Sequence, residues 1–149
     1  MKKILLPVTL LSFTVLMLGA CKKSSSKSKT ELLTQSAWKI NAMGIDYNMN
    51  GAIDNGESVM DDCQADNTYT FKTDGSGSTD EGANVCGGEP QTSTFAWSFK
   101  SNETIINADN DTFGGDFNIS SLTDSEFKAY QDEDLGGGNT MRVLVIFKH

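Results

Sequence analysis

The sequence is poor in the side chains that most often carry catalysis or bind zinc. Histidine occurs once, at the last position, His149, and only three cysteines are present. A zinc site usually draws on several Cys or His ligands, and a Ser/His or Cys/His pair would have to use a histidine at a fraying terminus. No pair of carboxylates is marked out for glycoside hydrolysis. We therefore expect a protein that is not an enzyme.

Basic residues are also scarce where a folded domain is expected. The chain has 12 Lys and Arg against 20 Asp and Glu, and half of the basic residues precede Thr30. From Thr30 onward six basic and 20 acidic residues remain, which is a formal charge of −14. A surface of this charge repels nucleic acid, so DNA and RNA binding are excluded.

The apolar stretch at residues 4–18 is shorter than the ~20 residues that a spanning helix needs. It follows Lys2 and Lys3 and ends in the tetrapeptide Leu18-Gly19-Ala20-Cys21, the pattern of a lipobox. We predict a lipoprotein signal peptide at residues 1–20, a lipidated Cys21 with a Lys/Ser tether at residues 21–30, and one domain at residues 31–149. The lipid would hold this domain in the cell envelope, at the periplasmic face or the cell surface of the outer membrane.

Two cysteines remain when Cys21 carries the lipid. Cys63 and Cys86 form an even pair in an exported and therefore oxidising setting. A redox pair would need close spacing or a lowered thiol pKa, and neither is indicated. We expect a structural disulfide.

The apolar pattern of the domain has period two, which is typical of half-buried strands. Turn residues separate the runs, and no stretch predicts a convincing amphipathic helix, although residues 30–35 could form one turn. The eight predicted strands cover residues 36–43, 67–72, 77–82, 92–100, 103–108, 113–121, 125–131 and 140–148. Short connections make neighbouring strands antiparallel, which leaves an up-and-down barrel or a strongly curved sandwich.

The sharpest local motif lies at residues 46–57 and matches a twelve-residue calcium loop. Glycine stands at the sixth position, where the chain must turn, and oxygen ligands are predicted from Asp46, Asn48, Asn50, the carbonyl of Ala52, Asp54 and Glu57. The alternative is an Asn- and Gly-rich surface loop without metal. With three charged ligands the site would be weak, with a dissociation constant of about 10⁻⁴ to 10⁻³ M, as in extracellular modules. We expect bound calcium to have a structural role.

The chain resembles the lipocalin-like lipoproteins of Bacteroidetes-type bacteria. The resemblance lies in the lipobox and tether, residues 33–40, the Asp/Asn/Gly loop, residues 61–71, the turn at Asp74-Gly75, residues 80–82 with Cys86, and residues 97–99. It implies an eight-stranded, lipocalin-like antiparallel barrel with a Cys63–Cys86 bridge, in a family largely without assigned ligands. Six aromatic side chains would fill the barrel or face a ligand: Tyr69, Phe71, Phe95, Trp97, Phe99 and Phe127.

Two functions follow as hypotheses. The first is a non-enzymatic, calcium-stabilised barrel, a monomer, that binds a small apolar or amphipathic ligand at its mouth. The second is a structural module whose acidic face docks a protein partner in an envelope assembly.

Overall fold

A computed structural model describes residues 26–149 of the chain. Cys21 and the predicted signal peptide lie outside the described residues. One short helix, α1 (Lys29–Leu33), precedes eight strands: β1 (Trp38–Ile45), β2 (Thr68–Phe71), β3 (Ser76–Asp80), β4 (Thr92–Lys100), β5 (Ile105–Ala108), β6 (Gly115–Leu122), β7 (Glu126–Gly136) and β8 (Asn139–Lys148). A 3₁₀ turn, Asp62–Gln64, lies in the long connection between β1 and β2.

The strands form a closed barrel in which each pairs antiparallel with the next and β8 pairs with β1. The prediction of an eight-stranded antiparallel barrel is confirmed, and the sandwich is not formed. The largest boundary error is in β7, which continues to Gly136 rather than ending at residue 131. Asp132, Glu133 and Asp134 lie outside the predicted strands, yet they pair with Arg142, Met141 and Thr140 of β8. Their side chains are exposed, so no apolar alternation marked this part of the strand.

Aromatic side chains occupy the barrel interior. Phe71 lies at the centre, with its ring 5.3 Å from that of Phe95, 5.7 Å from that of Trp97 and 6.3 Å from that of Phe127, in edge-to-face contacts. The structure places five of the six predicted aromatic residues among the buried core residues, and Phe99 packs against them while partly exposed. Phe113 and Phe147 add two further aromatic rings to the same core.

Gly77 of β3 leaves room for the ring of Phe95, its cross-strand partner on β4. A Cβ atom at Gly77 would lie 2.3 Å from two ring carbons of Phe95, so Gly77→Ala forces the buried ring to move. We expect Gly77→Ala to lower the free energy of unfolding by about 1–3 kcal/mol, the usual cost of overpacking a core. Urea denaturation measures this loss. Gly87→Ala is the matched control, because a Cβ there meets nothing within 4 Å, and equal stability of the two variants would contradict the packing argument.

Helix α1 closes one end of the barrel. Ser28 and Glu31 form a capping box at its N-terminus, and Leu33, its last residue, is fully buried. The indole of Trp38 donates to the carbonyl oxygen of Leu33 at 2.8 Å, and His149 stacks on Trp38 with ring centroids 3.8 Å apart. We call this the closed end; it also carries the short turns after β2, β4 and β6.

Part of the predicted tether packs on the closed end. Lys27 forms an ion pair with Asp124, and the ammonium group of Lys29 donates to the carbonyl oxygen of Glu103. The folded part of the chain therefore includes residues that the sequence analysis assigned to the tether. No helix within residues 26–149 is long and apolar enough to cross a membrane.

The opposite end, which we call the open end, carries the longer β1–β2, β3–β4 and β5–β6 connections. A disulfide between Cys63 and Cys86, with Cα atoms 5.2 Å apart, joins the first of these connections to the second. The predicted disulfide is confirmed. It adds a covalent link between the two loops to the hydrogen bonds that join them.

Candidate functional site

A polar cleft of about 260 Å³ lies at the open end, between the three long connections. We call it the mouth cleft. Its lining includes Asn67, Thr79, Glu81, Ser93, Asn110 and Thr112. Its volume is below the range of about 300–1,000 Å³ that is typical of pockets for drug-sized ligands, so the cleft suits a small molecule.

The mouth cleft arises because the inward-facing positions change from apolar to polar toward the open end. On β2 and the residue before it, the buried positions read Phe71, Tyr69 and Asn67. On β3 and the residue after it, they read Gly77, Thr79 and Glu81. Since alternate residues of a strand face the same side, each strand carries a core segment and a polar segment on one face.

The floor of the mouth cleft is a pair of buried polar side chains. Asn67 is 1% exposed and Glu81 is 8% exposed, and the amide nitrogen of Asn67 donates to Oε1 of Glu81 at 2.9 Å. The amide oxygen of Asn67, Oδ1, is buried and has no hydrogen-bond partner among the described residues. An unpartnered buried polar atom costs about 1–3 kcal/mol, and here it belongs to a residue that lines the cleft.

The remaining groups hold the floor in place. Asn110 donates its amide to Oγ1 of Thr79 at 3.0 Å, and the hydroxyl of Tyr69 donates to Oγ1 of Thr112 at 3.4 Å. Burial raises the pKa of the Tyr69 phenol above its ordinary value, so the phenol stays neutral at physiological pH and remains a donor. These bonds join β2 and β3 to the β5–β6 connection across the cleft.

The predicted calcium loop, residues 46–57, is part of the β1–β2 connection, which begins at the open end. Its two ends are joined by main-chain hydrogen bonds, from Ile45 N to Glu57 O at 2.9 Å and from Val59 N to Met43 O at 3.0 Å. Gly44 is required beside this closure, because a Cβ atom there would lie 2.2 Å from Glu57 O. Residues 57–59 thus lie along the part of β1 that β2 does not reach.

Inside the loop, the two outermost predicted ligands are buried and accept main-chain hydrogen bonds. Asp46 is fully buried and accepts from the amides of Asn50 and Gly51 at 3.0 and 2.9 Å. Glu57 is 8% exposed and accepts from the amides of Tyr47 and Asp54 at 3.1 and 2.8 Å. The chain turns at Gly51, where φ is +76°, at the position where a calcium loop places its glycine.

The other predicted ligands lie on the same loop. The amide nitrogens of Asn48 and Asn50 both donate to Oδ2 of Asp54, each at 3.0 Å, and Asn50 also accepts from the amide of Ala52 at 2.8 Å. The structure therefore links all of the predicted side-chain ligands through one hydrogen-bonded loop. Within residues 26–149, no three His, Cys, Asp or Glu side chains form a metal-holding group by themselves, so a cation here would also need the amide and carbonyl oxygens.

Hydrogen bonds also join the loop to the wall of the barrel. Lys128 of β7 donates to the carbonyl oxygen of Gly51 at 3.0 Å, and the amide of Asp46 donates to the carbonyl oxygen of Arg142 at 2.9 Å. Arg142 in turn pairs with Asp132 through two hydrogen bonds of 2.7 and 2.8 Å, and it holds the pKa of the Asp132 carboxyl below its ordinary value.

The floor of the mouth cleft was not predicted from the sequence. Asn67, Thr79 and Glu81 fell within two of the predicted strands, residues 67–72 and 77–82, and none of them was predicted as a site residue. The available signal was that an inward-facing position had become polar next to two aromatic ones. The other predicted functional residue, Cys21, lies outside the described part of the chain.

A comparison with known protein families identifies a related domain. The model of the lipocalin-like domain matches residues 35–129, which is more than half of the chain. The matched segment contains β1 to β6, the start of β7, the calcium-type loop, the disulfide and the mouth cleft. No curated protein matches the chain. The eight-stranded closed barrel and the family match agree, and the chain belongs to the lipocalin-like domain family.

Proposed function

We propose that this chain is a lipid-anchored, non-enzymatic domain of the cell envelope that binds a small polar ligand in the mouth cleft. A lipocalin-like barrel is a fold that holds one small ligand. The observation that carries the proposal is Oδ1 of Asn67, which is buried in the cleft floor without a partner among the described residues. A buried acceptor of this kind is normally satisfied, and a ligand donor would satisfy it.

The sequence suggested an apolar or amphipathic ligand, whereas we propose a polar one. Aromatic side chains fill the interior where an apolar molecule would lie, and the mouth cleft is lined mainly by polar groups. Apolar ligands are held by apolar walls, with only a few polar groups fixing their orientation. The chemistry of this cleft therefore favours a ligand that donates hydrogen bonds.

The position of the tether supports a role at a membrane surface. Residues 26–28 leave the barrel at the closed end, beside α1, and the mouth cleft lies at the other end. A lipid on Cys21 would place the closed end toward the membrane and the cleft toward the surrounding solution. In this orientation a ligand reaches the cleft without passing the lipid.

Native mass spectrometry of the mature chain, extracted from its own envelope in mild detergent, tests the binding function. We expect the wild-type chain to carry a small-molecule mass and Ser93→Trp to lose it, because Ser93 lines the cleft and an indole would fill it. Ser98→Trp is the matched control, since Ser98 lies exposed on the same strand, β4. A bound mass that survives Ser93→Trp, or a wild-type chain without any bound mass, would overturn the proposal.

We also propose that calcium stabilises the loop at residues 46–57. The residues fit: the ligand set consists of oxygens only, and Asp46 and Glu57 are buried carboxylates that form no ion pair within the described residues. A divalent cation would supply the positive charge that two buried carboxylates need. Asp46, Asn48, Asn50, Asp54 and Glu57 would hold it with side-chain oxygens, and Ala52 with its carbonyl oxygen.

A further inference from the structure

The mouth cleft carries charge of one sign. Asp61, Glu81, Glu89 and Asp111 line it, and among residues 26–149 no Lys, Arg or His does so. Low-dielectric walls strengthen the field of such a cluster. A ligand that enters this cleft meets attraction when it is positively charged and repulsion when it is negatively charged.

The buried side chains at the floor of the cleft favour a ligand that donates hydrogen bonds as well as one that carries positive charge. Oδ1 of Asn67 can only accept. Glu81 accepts from Asn67 at Oε1 and, at 3.5 Å, from the amide of Cys86 at Oε2, and it forms no ion pair among the described residues. Both groups are therefore acceptors, and a neutral acceptor or a cation without N–H would leave Oδ1 of Asn67 unsatisfied.

We infer that the ligand of the mouth cleft is a small protonated organic amine, whose N–H groups donate to Asn67 Oδ1 and to the carboxylate of Glu81. This inference rests on the proposed binding function and names its ligand class. A bare metal ion fits less well, because the acids that line the cleft do not form a metal-holding group of three within residues 26–149. The small volume of the cleft, about 260 Å³, favours amines of a few carbon atoms.

Isothermal titration of the mature full chain in detergent, with three probes of similar length, tests the inference. The probes are 1,4-diaminobutane, 1,4-butanediol, which lacks the charge, and the fully N-methylated bis-quaternary analogue, which lacks the N–H groups. We expect the diamine to bind at least about tenfold more tightly than either of the others, because only the diamine combines a charge with a donor. Equal affinities for the diamine and the quaternary analogue would overturn the donor argument.

The matching variants are Glu81→Gln and Glu103→Gln. Glu81→Gln keeps an amide oxygen beside Asn67 but removes the buried charge, so the affinity for the diamine should fall by about tenfold or more. Glu103 is exposed at the closed end, in the turn between β4 and β5, and its variant should bind as the wild type does. Asp111→Asn removes a charge from the cleft rim and gives a second measurement, a smaller loss, if Glu81→Gln fails to fold.

The outcomes separate this inference from the proposed function. If Ser93→Trp displaces a native ligand but the diamine does not bind, the inferred amine ligand is wrong and the proposed binding site stands. The inferred amine ligand is also wrong if butanediol binds more tightly than the diamine. If no probe binds and the extracted chain carries no small molecule, both the inference and the proposed function are wrong.

Discussion

Replacing Cys63 and Cys86 together by serine is expected to lower the free energy of unfolding by about 3 kcal/mol, the chain-entropy value for a loop of this length. The bridge spans 23 residues and joins the β1–β2 and β3–β4 connections. Loss of the bridge should also destabilise the mouth cleft, because both connections supply lining residues. A small domain has only about 5–15 kcal/mol of stability in total, so this change is a large fraction of it.

Thermal and urea unfolding of the wild type, with and without reductant, measure this effect. Reductant should destabilise the wild type to about the level of the double variant and should leave the double variant unchanged. A double variant that unfolds at the wild-type urea concentration would show that the hydrogen bonds between the two connections, such as those from Ala83 and Asn84 to Asp66, hold the open end without the bridge.

Calcium is expected to raise the melting temperature of the domain. With a dissociation constant of about 10⁻⁴ M, 10 mM calcium would add about 2.7 kcal/mol, which is on the order of 10 °C for a domain of this size. The physical reason is that calcium binds the folded loop and has little affinity for the unfolded chain. Magnesium at the same concentration should give a smaller shift, because it sheds its water reluctantly.

Variants at two glutamates test whether calcium binds in the loop at residues 46–57. Glu57→Gln removes a carboxylate of the predicted ligand set and should abolish the calcium shift, measured against chelator in the same variant. Glu133→Gln is the matched control, because Glu133 lies exposed on β7 and outside the loop, and its shift should equal that of the wild type. No change in melting temperature with 10 mM calcium would contradict the calcium assignment and favour the metal-free loop.

Much of the barrel could be predicted from the sequence because the alternation of side chains is local information. Tyr69 and Phe71 on β2, and Phe95 and Trp97 on β4, mark their strands without reference to any neighbour. The far part of β7 could not be predicted in this way. Asp132, Glu133 and Asp134 gain their strand conformation from pairing with β8, which is information about a partner and not about the residues themselves.

The candidate site was predictable only in part, for the same reason. The calcium-type loop is one continuous motif, so its spacing could be recognised directly. The mouth cleft is assembled from several segments, and its strongest feature is the unpartnered oxygen of Asn67. Whether a buried oxygen has a partner depends on what folding places around it, and no spacing along the chain records that.

The separation of the two ends of the barrel has a consequence for how the family can diversify. The barrel wall and the closed end carry the aromatic core and the contacts of α1, whereas the mouth cleft is built largely at strand ends and in long connections. Loops of this kind tolerate insertion and replacement better than packed strands. The lining of the mouth cleft can therefore change among relatives, through substitutions at the open end, with little effect on the stability of the barrel.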